Sequence, residues 1–258
     1  EAKKAEGYIY KVAKPFIKGD FEKVYGSSEH KLSGTFICGG QEHFYMESQA
    51  AVAYPMEDGQ IEVHSSSQHP SETQRVIAQA IGEPFHKVVC IVKRMGGGFG
   101  GKESQAAPIA AYAAIVSRAL NCPARVILTK DEDMKITGKR HPFEKDYQVS
   151  FDKTGKITAL KVFLQADGGA YTDLSASILE RGLFHIENAY HLETCHIDGV
   201  VYRTNNHSNT AYRGFGGPQG AMTIESIMED IAQELNIDSY EVRLRNIYRG
   251  EKQTTPYG

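Results

Sequence analysis

Tyr147-Gln148-Val149-Ser150-Phe151-Asp152-Lys153-Thr154-Gly155-Lys156-Ile157 reads as a strand, a turn and the start of a second strand. Asp152 through Gly155 supply turn chemistry, and Ile157 to Gln165 continues as a strand, so the stretch predicts a β-hairpin. A helical segment, Thr172 to Leu183, follows it. The same order occurs earlier in the chain. Glu47 to Tyr54 and Ile61 to His64 suit strands around the turn Glu57-Asp58-Gly59-Gln60, and Pro70-Ser71-Glu72 then opens a helix that Gly82 stops. Hairpins that precede helices suggest an α+β fold, with antiparallel sheets and helices packed on one face. The repetition predicts two related α/β sandwich halves.

Working outward, Val88 to Val92 is a strand, Ser104 to Leu120 an alanine-rich helix that tolerates Pro108 near its first turn, and Arg125 to Thr129 another strand. Two β segments are expected around Cys195 to Val201 and just after. Gln219 to Leu235 carries Met222, Ile224, Ile227, Met228 and Ile231 at helical spacing, and Asp238 caps a last helix through Val242, Leu244 and Ile247. Residues 1–18 read as a polar lead-in. The chain has no initiator methionine, and we read it as a piece of a longer polypeptide.

At 258 residues with net charge −3, the composition is that of an ordinary globular protein. Lys and Arg are scattered, which gives no case for nucleic acid, and no apolar run approaches the ~18 residues that span a membrane. The four cysteines form no CxxC pair, so they suit neither a zinc ribbon nor an iron–sulfur cluster within this chain. Buried free thiols in a reducing compartment are the default.

Two glycine clusters stand out. One is Lys93-Arg94-Met95-Gly96-Gly97-Gly98-Phe99-Gly100-Gly101-Lys102-Glu103, the other Asn209-Thr210-Ala211-Tyr212-Arg213-Gly214-Phe215-Gly216-Gly217-Pro218-Gln219. Each sets one ring among glycines that let a ligand approach the backbone closely. The first is not a phosphate-binding P-loop, because Glu103 stands where Ser or Thr is needed. Glu103 suits either a helix start, favoured by the macrodipole, or a ligand hydrogen bond. Arg181 lies in an apolar stretch and either pairs with Glu180 or Glu187 at the surface or aims its cation into a pocket. Gln41, after Gly39 and Gly40, offers both a donor and an acceptor, or is a plain turn residue. Glu42 and His43 do not form HExxH. Asp167 to Asp173 lacks the spacing of a calcium loop and reads as a glycine-rich turn.

Taken in order, Gly40-Gln41-Glu42-His43-Phe44-Tyr45, Lys93 through Glu103, Asp131-Glu132-Asp133-Met134, Gly138 through Phe143, Glu180-Arg181-Gly182-Leu183-Phe184-His185 and Asn209 through Gln219 closely resemble the molybdenum-cofactor domain of the xanthine dehydrogenase/oxidase family. The resemblance runs from about Gly19 to about Arg249. It implies that residues 19–258 are a molybdopterin-binding domain of a larger cytoplasmic, homodimeric enzyme. That enzyme would hold molybdenum–molybdopterin, 2Fe–2S clusters and FAD, and hydroxylate hypoxanthine or xanthine with oxygen from water. The resemblance further implies that no side chain ligates the metal directly, and that Gln41 bonds an oxygen ligand of it. Phe99, Gly100 and Arg213 would contact the cofactor, Glu103 and Arg181 would recognise the purine and act in catalysis, and Phe215 would stack on it.

The second molybdopterin domain, with its own glycine loops and glutamate base, is missing from the chain, as are the iron–sulfur and flavin domains. The fragment alone is therefore expected to be inactive. An aldehyde oxidase-type hydroxylase is the alternative within the family, disfavoured because aldehydes need neither Glu103 nor Arg181. A non-catalytic assembly domain is the alternative outside it.

Overall fold

A computed structural model describes residues 8–250 and 253–258, in two units. The chain enters the first unit with β1 (Ile9–Val12), β2 (Phe16–Lys18), α1 (Phe21–Ser27) and β3 (His30–Cys38). It builds the second with β4 (Ala50–Pro55), β5 (Ile61–Ser65), α2 (Pro70–Ile81), β6 (Val88–Ile91), α3 (Ala106–Leu120), β7 (Ala124–Ile127) and α4 (Lys130–Ile136). It returns to the first with β8 (Phe143–Phe151), β9 (Ile157–Gly169), α5 (Ser175–Phe184), β10 (Cys195–Arg203), α6 (Gly217–Leu235) and α7 (Ser239–Asn246). The segment His207–Arg213 belongs to the second unit.

The first unit holds a sheet of order β1-β10-β9-β8-β3, with β2 also on β10. The hairpin from Tyr147 is its centre: β8 pairs antiparallel with β9, and Tyr147 faces Val162. Alternation along β8 and β9 turns Phe143, Tyr147, Val149, Val162 and Leu164 inward, where Ile178, Leu179 and Leu183 of α5 and Ile224, Ile227, Met228 and Ile231 of α6 complete the core.

In the second unit the order is β6-β5-β4-β7. Here Ala51, Ala53, Ile61, Val63 and Val88 of the sheet pack against Ile77 and Ala78 of α2 and Ala110, Ala113 and Ala114 of α3. Small alanines let α3 lie close to the strands, which is why so apolar a helix is nearly all buried on one side.

The α+β expectation holds, with one addition. Each sheet carries one parallel pair, β5 with β6 and β9 with β10. A parallel pair needs a long crossover, and α2 and α5 supply it. Each unit thus repeats hairpin, helix, parallel strand, helix, and the expected two related halves share this topology. In each, a further strand pairs with the hairpin's first strand, β7 with β4 and β3 with β8.

Differences from the sequence reading are local. Residues 9–12 and 16–18, inside the lead-in, are strands bound to β10. The alanine-rich helix starts at Ala106, not Ser104. Among the described residues no strand follows β10 where a second β segment was expected, and Asp167-Gly168-Gly169 ends β9 rather than forming a turn.

Candidate functional site

In the second unit the two glycine clusters meet backbone to backbone. Arg213 N donates to Phe99 O at 2.9 Å, and a Cβ on Gly100 would stand 2.7 Å from Ala211 O. Gly100 has φ +99° and Phe99 φ +54°. A bulky residue in the left-handed region is strained, and such strain persists only where the surroundings enforce it. Phe99 is 49% exposed, so its ring is not there to fill the core.

The loop is held from beneath by groups distant in sequence. Glu47 Oε2 accepts from Gly96 N (2.9 Å), Ser66 Oγ (2.6 Å) and Lys102 Nζ (3.1 Å). Lys102 is fully buried, bonds Ser66 Oγ at 2.7 Å and lies 4.7 Å from the Tyr45 ring centroid. Burial lowers its pKa and Glu47 opposes the shift. A lysine spent on this inner pair cannot serve a nucleotide phosphate, which agrees with discarding a P-loop. Gln68 Oε1 accepts from Gly100 N (2.8 Å) and Lys102 N (3.2 Å). Behind the loop His43 is buried, with Nε2 2.6 Å from Ala211 O. Burial lowers its pKa, so it stands neutral, Nε2 donating and Nδ1 left buried without a partner.

Gln41 bridges to Arg140, whose N donates to Gln41 O at 2.9 Å. Arg140 Nε donates to Gln41 Oε1 at 3.0 Å, Nη2 to Arg213 O at 2.9 Å, and the guanidinium lies 3.9 Å from the Tyr212 ring centroid. An arginine can only donate, so the Gln41 amide must turn its oxygen toward Arg140. Its NH2 group is left as a donor on an exposed residue. Glu103 is half-buried and precedes the first residue of α3; its N donates to Gly100 O at 3.2 Å. Glu103 stands two residues before the Gln105 N-cap, outside the first turn of α3, where the pull of the macrodipole weakens.

The first unit holds Arg181 and Phe215. Arg181 is on α5. The carboxylates read as its surface partners are engaged elsewhere: Glu180 pairs with Lys11 at 3.2 Å, and Glu187 accepts from Tyr248 (2.8 Å) and Tyr257 (2.9 Å). The exposed Arg181 guanidinium therefore has no ion pair among the described residues. Phe215 has φ +52° between two left-handed glycines. A Cβ on Gly216 would stand 2.1 Å from Ile178 O, so the Phe215 loop rests on α5 next to the turn that bears Arg181.

Gln41, Phe99, Gly100, Glu103 and Arg213 thus gather in one unit, and Arg181 and Phe215 in the other. Sequence reasoning missed Arg140 and the Glu47–Lys102–Ser66 support, for which no local signal exists. A groove of about 400 Å³ on the sheet of the second unit, lined by Tyr54, His64, Lys93, Arg94 and Arg125, includes Glu47 but none of the expected site residues. Among the described residues no helix is long and apolar enough to cross a membrane.

Known proteins are similar to this chain. The chain is 45% identical over 232 residues to xanthine dehydrogenase of Drosophila subobscura, covering 90% of this chain and 17% of that protein. It is 43% identical to the nicotinate hydroxylase of Emericella nidulans, covering 92% of this chain and 18% of that one. The structure of the aldehyde oxidoreductase from Desulfovibrio gigas superimposes with TM-score 0.89 at 28% identity, over 97% of this chain and 28% of its own. The chain therefore spans less than a fifth of the length of the two sequence relatives. A family model described as the molybdopterin cofactor-binding domain matches residues 3–247, and the chain belongs to that family.

Proposed function

We propose that this chain is the part of a molybdenum hydroxylase that binds molybdenum–molybdopterin and a purine. The donor set fits the cofactor. A Gln41 NH2 left open by Arg140 suits an oxygen acceptor. Gln41, Phe99, Gly100 and Arg213 would hold the group. When bound, it supplies a two-electron acceptor and activates the water that provides the product's oxygen.

The chain's own residues orient the substrate. Phe215 offers a ring face for stacking, Glu103 an edge hydrogen bond, and Arg181 a fixed cation for the negative charge that builds on the ring during hydroxylation. The observation that carries this reading is the Arg181 guanidinium, whose neighbouring carboxylates serve other partners. Oxidation of hypoxanthine or xanthine is the substrate assignment. The nicotinate hydroxylase relative gives a carboxylated nitrogen heterocycle as the second reading, since Arg181 also suits a carboxylate. The remaining length of the relatives leaves room for the second cofactor-binding, iron–sulfur and flavin domains. A homodimer in the cytoplasm completes the proposal.

The test is Arg181→Met in the full-length enzyme. Loss of such a donor costs about 10²–10³ in rate, so kcat/KM should fall by that factor for xanthine and far less for an aldehyde. Equal loss for both would make Arg181 structural. Nicotinate turnover exceeding that of xanthine in the unaltered enzyme would favour the second reading.

A further inference from the structure

Lys145 lies on the inward face of β8, in the alternation that also buries Phe143, Tyr147 and Val149, and is fully buried. A buried ammonium ordinarily needs a carboxylate beside it. Lys145 has none. Its Nζ lies 2.8 Å from Cys38 Sγ and 4.5 Å from the Phe36 ring centroid, and it has no other polar partner among the described residues. The register explains the meeting. Phe36 is the residue directly opposite Lys145, and Cys38 is opposite Phe143, so Cys38 sits diagonally within reach of a long side chain. β3 ends the strand order, and Cys38 is only half-buried, so the residue stands at the open edge of the sheet.

At 2.8 Å the Lys145 amine and the Cys38 thiol can exchange a proton directly. As ammonium and thiolate they present the form of sulfur that attacks peroxides. As free amine they present a nucleophile. Burial lowers the Lys145 pKa against the opposing pull of Cys38, which keeps the free amine within range.

We propose that Cys38 and Lys145 form a reversible covalent modification site, in which hydrogen peroxide drives closure of a sulfenamide bridge between β3 and β8. In the first step the thiolate attacks one peroxide oxygen. An S–O bond forms, the O–O bond breaks, and the departing hydroxide takes a proton from the Lys145 ammonium to become water. Sulfur loses two electrons and peroxide gains them. The sulfenic acid then faces a neutral amine. In the second step Nζ attacks sulfur, the S–N bond forms and the S–O bond breaks. Hydroxide leaves with the amine's proton as a second water. A thiol reductant reverses the bridge by attacking sulfur and releasing the amine. This site stands independently of the cofactor and purine assignments.

The experiment treats the full-length protein with hydrogen peroxide, digests it and maps peptides by mass, with and without dithiothreitol. The Cys38 and Lys145 peptides should appear joined, about 2 Da lighter than their sum, and separate again after reduction. In Lys145→Met the joined peptide should vanish. Cys38 should then accumulate as a sulfenic acid trapped by dimedone, forming about tenfold more slowly without the neighbouring ammonium. Cys38→Ser should remove both products. The unaltered protein decides the matter even if a variant folds poorly. Cys38 found unoxidised, or oxidised to dimedone-reactive or higher acids with Lys145 never joined, overturns the proposal.

Discussion

Gly220→Ala sets two magnitudes against each other. Gly220 is a buried interior position of α6, and helix propensity alone favours alanine there by about 0.8–1 kcal/mol. The added Cβ, however, would stand 2.2 Å from Gly182 O and 3.0 Å from His185 Cβ. Ordinary carbon–oxygen contacts lie near ~3.3 Å or beyond, so one helix must retreat by about 1 Å. The nearest obstacle is backbone, which no rotamer change relieves. Overpacking of this kind costs about 3 kcal/mol at the upper end of its usual range, leaving a net loss of about 2 kcal/mol. For a chain of this size that lowers Tm by about 4–8 °C. Circular dichroism melts of the chain measure it. Gly26→Ala in α1 is the control, because its Cβ meets nothing within 4 Å and only the propensity gain remains. The retreat also displaces α5 beside Arg181, so purine kcat/KM of the full enzyme should fall by up to about 10²-fold. A Gly220→Ala melt at or above the unaltered value would refute the view that α5 and α6 touch through backbone here.

Three shorter predictions follow from the loop and its support. Glu103→Gln should leave Tm unchanged, since Glu103 lies outside the first turn of α3, and lower kcat/KM for xanthine by about ten- to a hundredfold; a lowered Tm with unchanged turnover would remove Glu103 from the substrate site. Lys102→Met should destabilise the chain by about 2–3 kcal/mol in urea, below the full penalty for breaking a buried pair because the Glu47 side chain is 41% exposed and can regain water; an unchanged midpoint would mean the pair contributes nothing. Burial pushes the Glu47 pKa up, but bonds from Ser66, Gly96 and Lys102 outweigh it and hold the carboxyl below its ordinary 4.5. A depressed acid stabilises the fold above its unfolded pKa and loses that contribution as pH falls through the folded value, so the protection factor of the Gly96 amide should drop below pH 4.5, and a flat profile to about pH 3 would contradict the clamp.

What the sequence made legible was whatever a few neighbouring residues decide. Pro70 and Gly82 bound α2 because one fixes φ at a helix start and the other accepts φ +70° at its end. The hairpin from Tyr147 and the glycine clusters are local in the same sense. α4, opened by the capping box of Thr129 and Glu132, was not read as a helix, and its acidic run entered only as part of a family string. The parallel pairs could not be seen, because nothing in β6 or β10 marks which strand each will join. The same distinction runs through the site. Phe99 and Phe215 announce themselves, since a ring among glycines is odd within five residues of chain. Lys102 does not: its partner Glu47 is 55 positions away, and between Gly101 and Glu103 it looks like a solvated lysine. Arg140 reaches Gln41 across 99 positions and decides which way that amide faces. The residues nominated for a ligand are locally unusual, whereas the groups that position them need only be the right ordinary residue in the right place. That is why a candidate ligand residue can be nominated from one chain, while the scaffolding around it emerges only when the chain is folded.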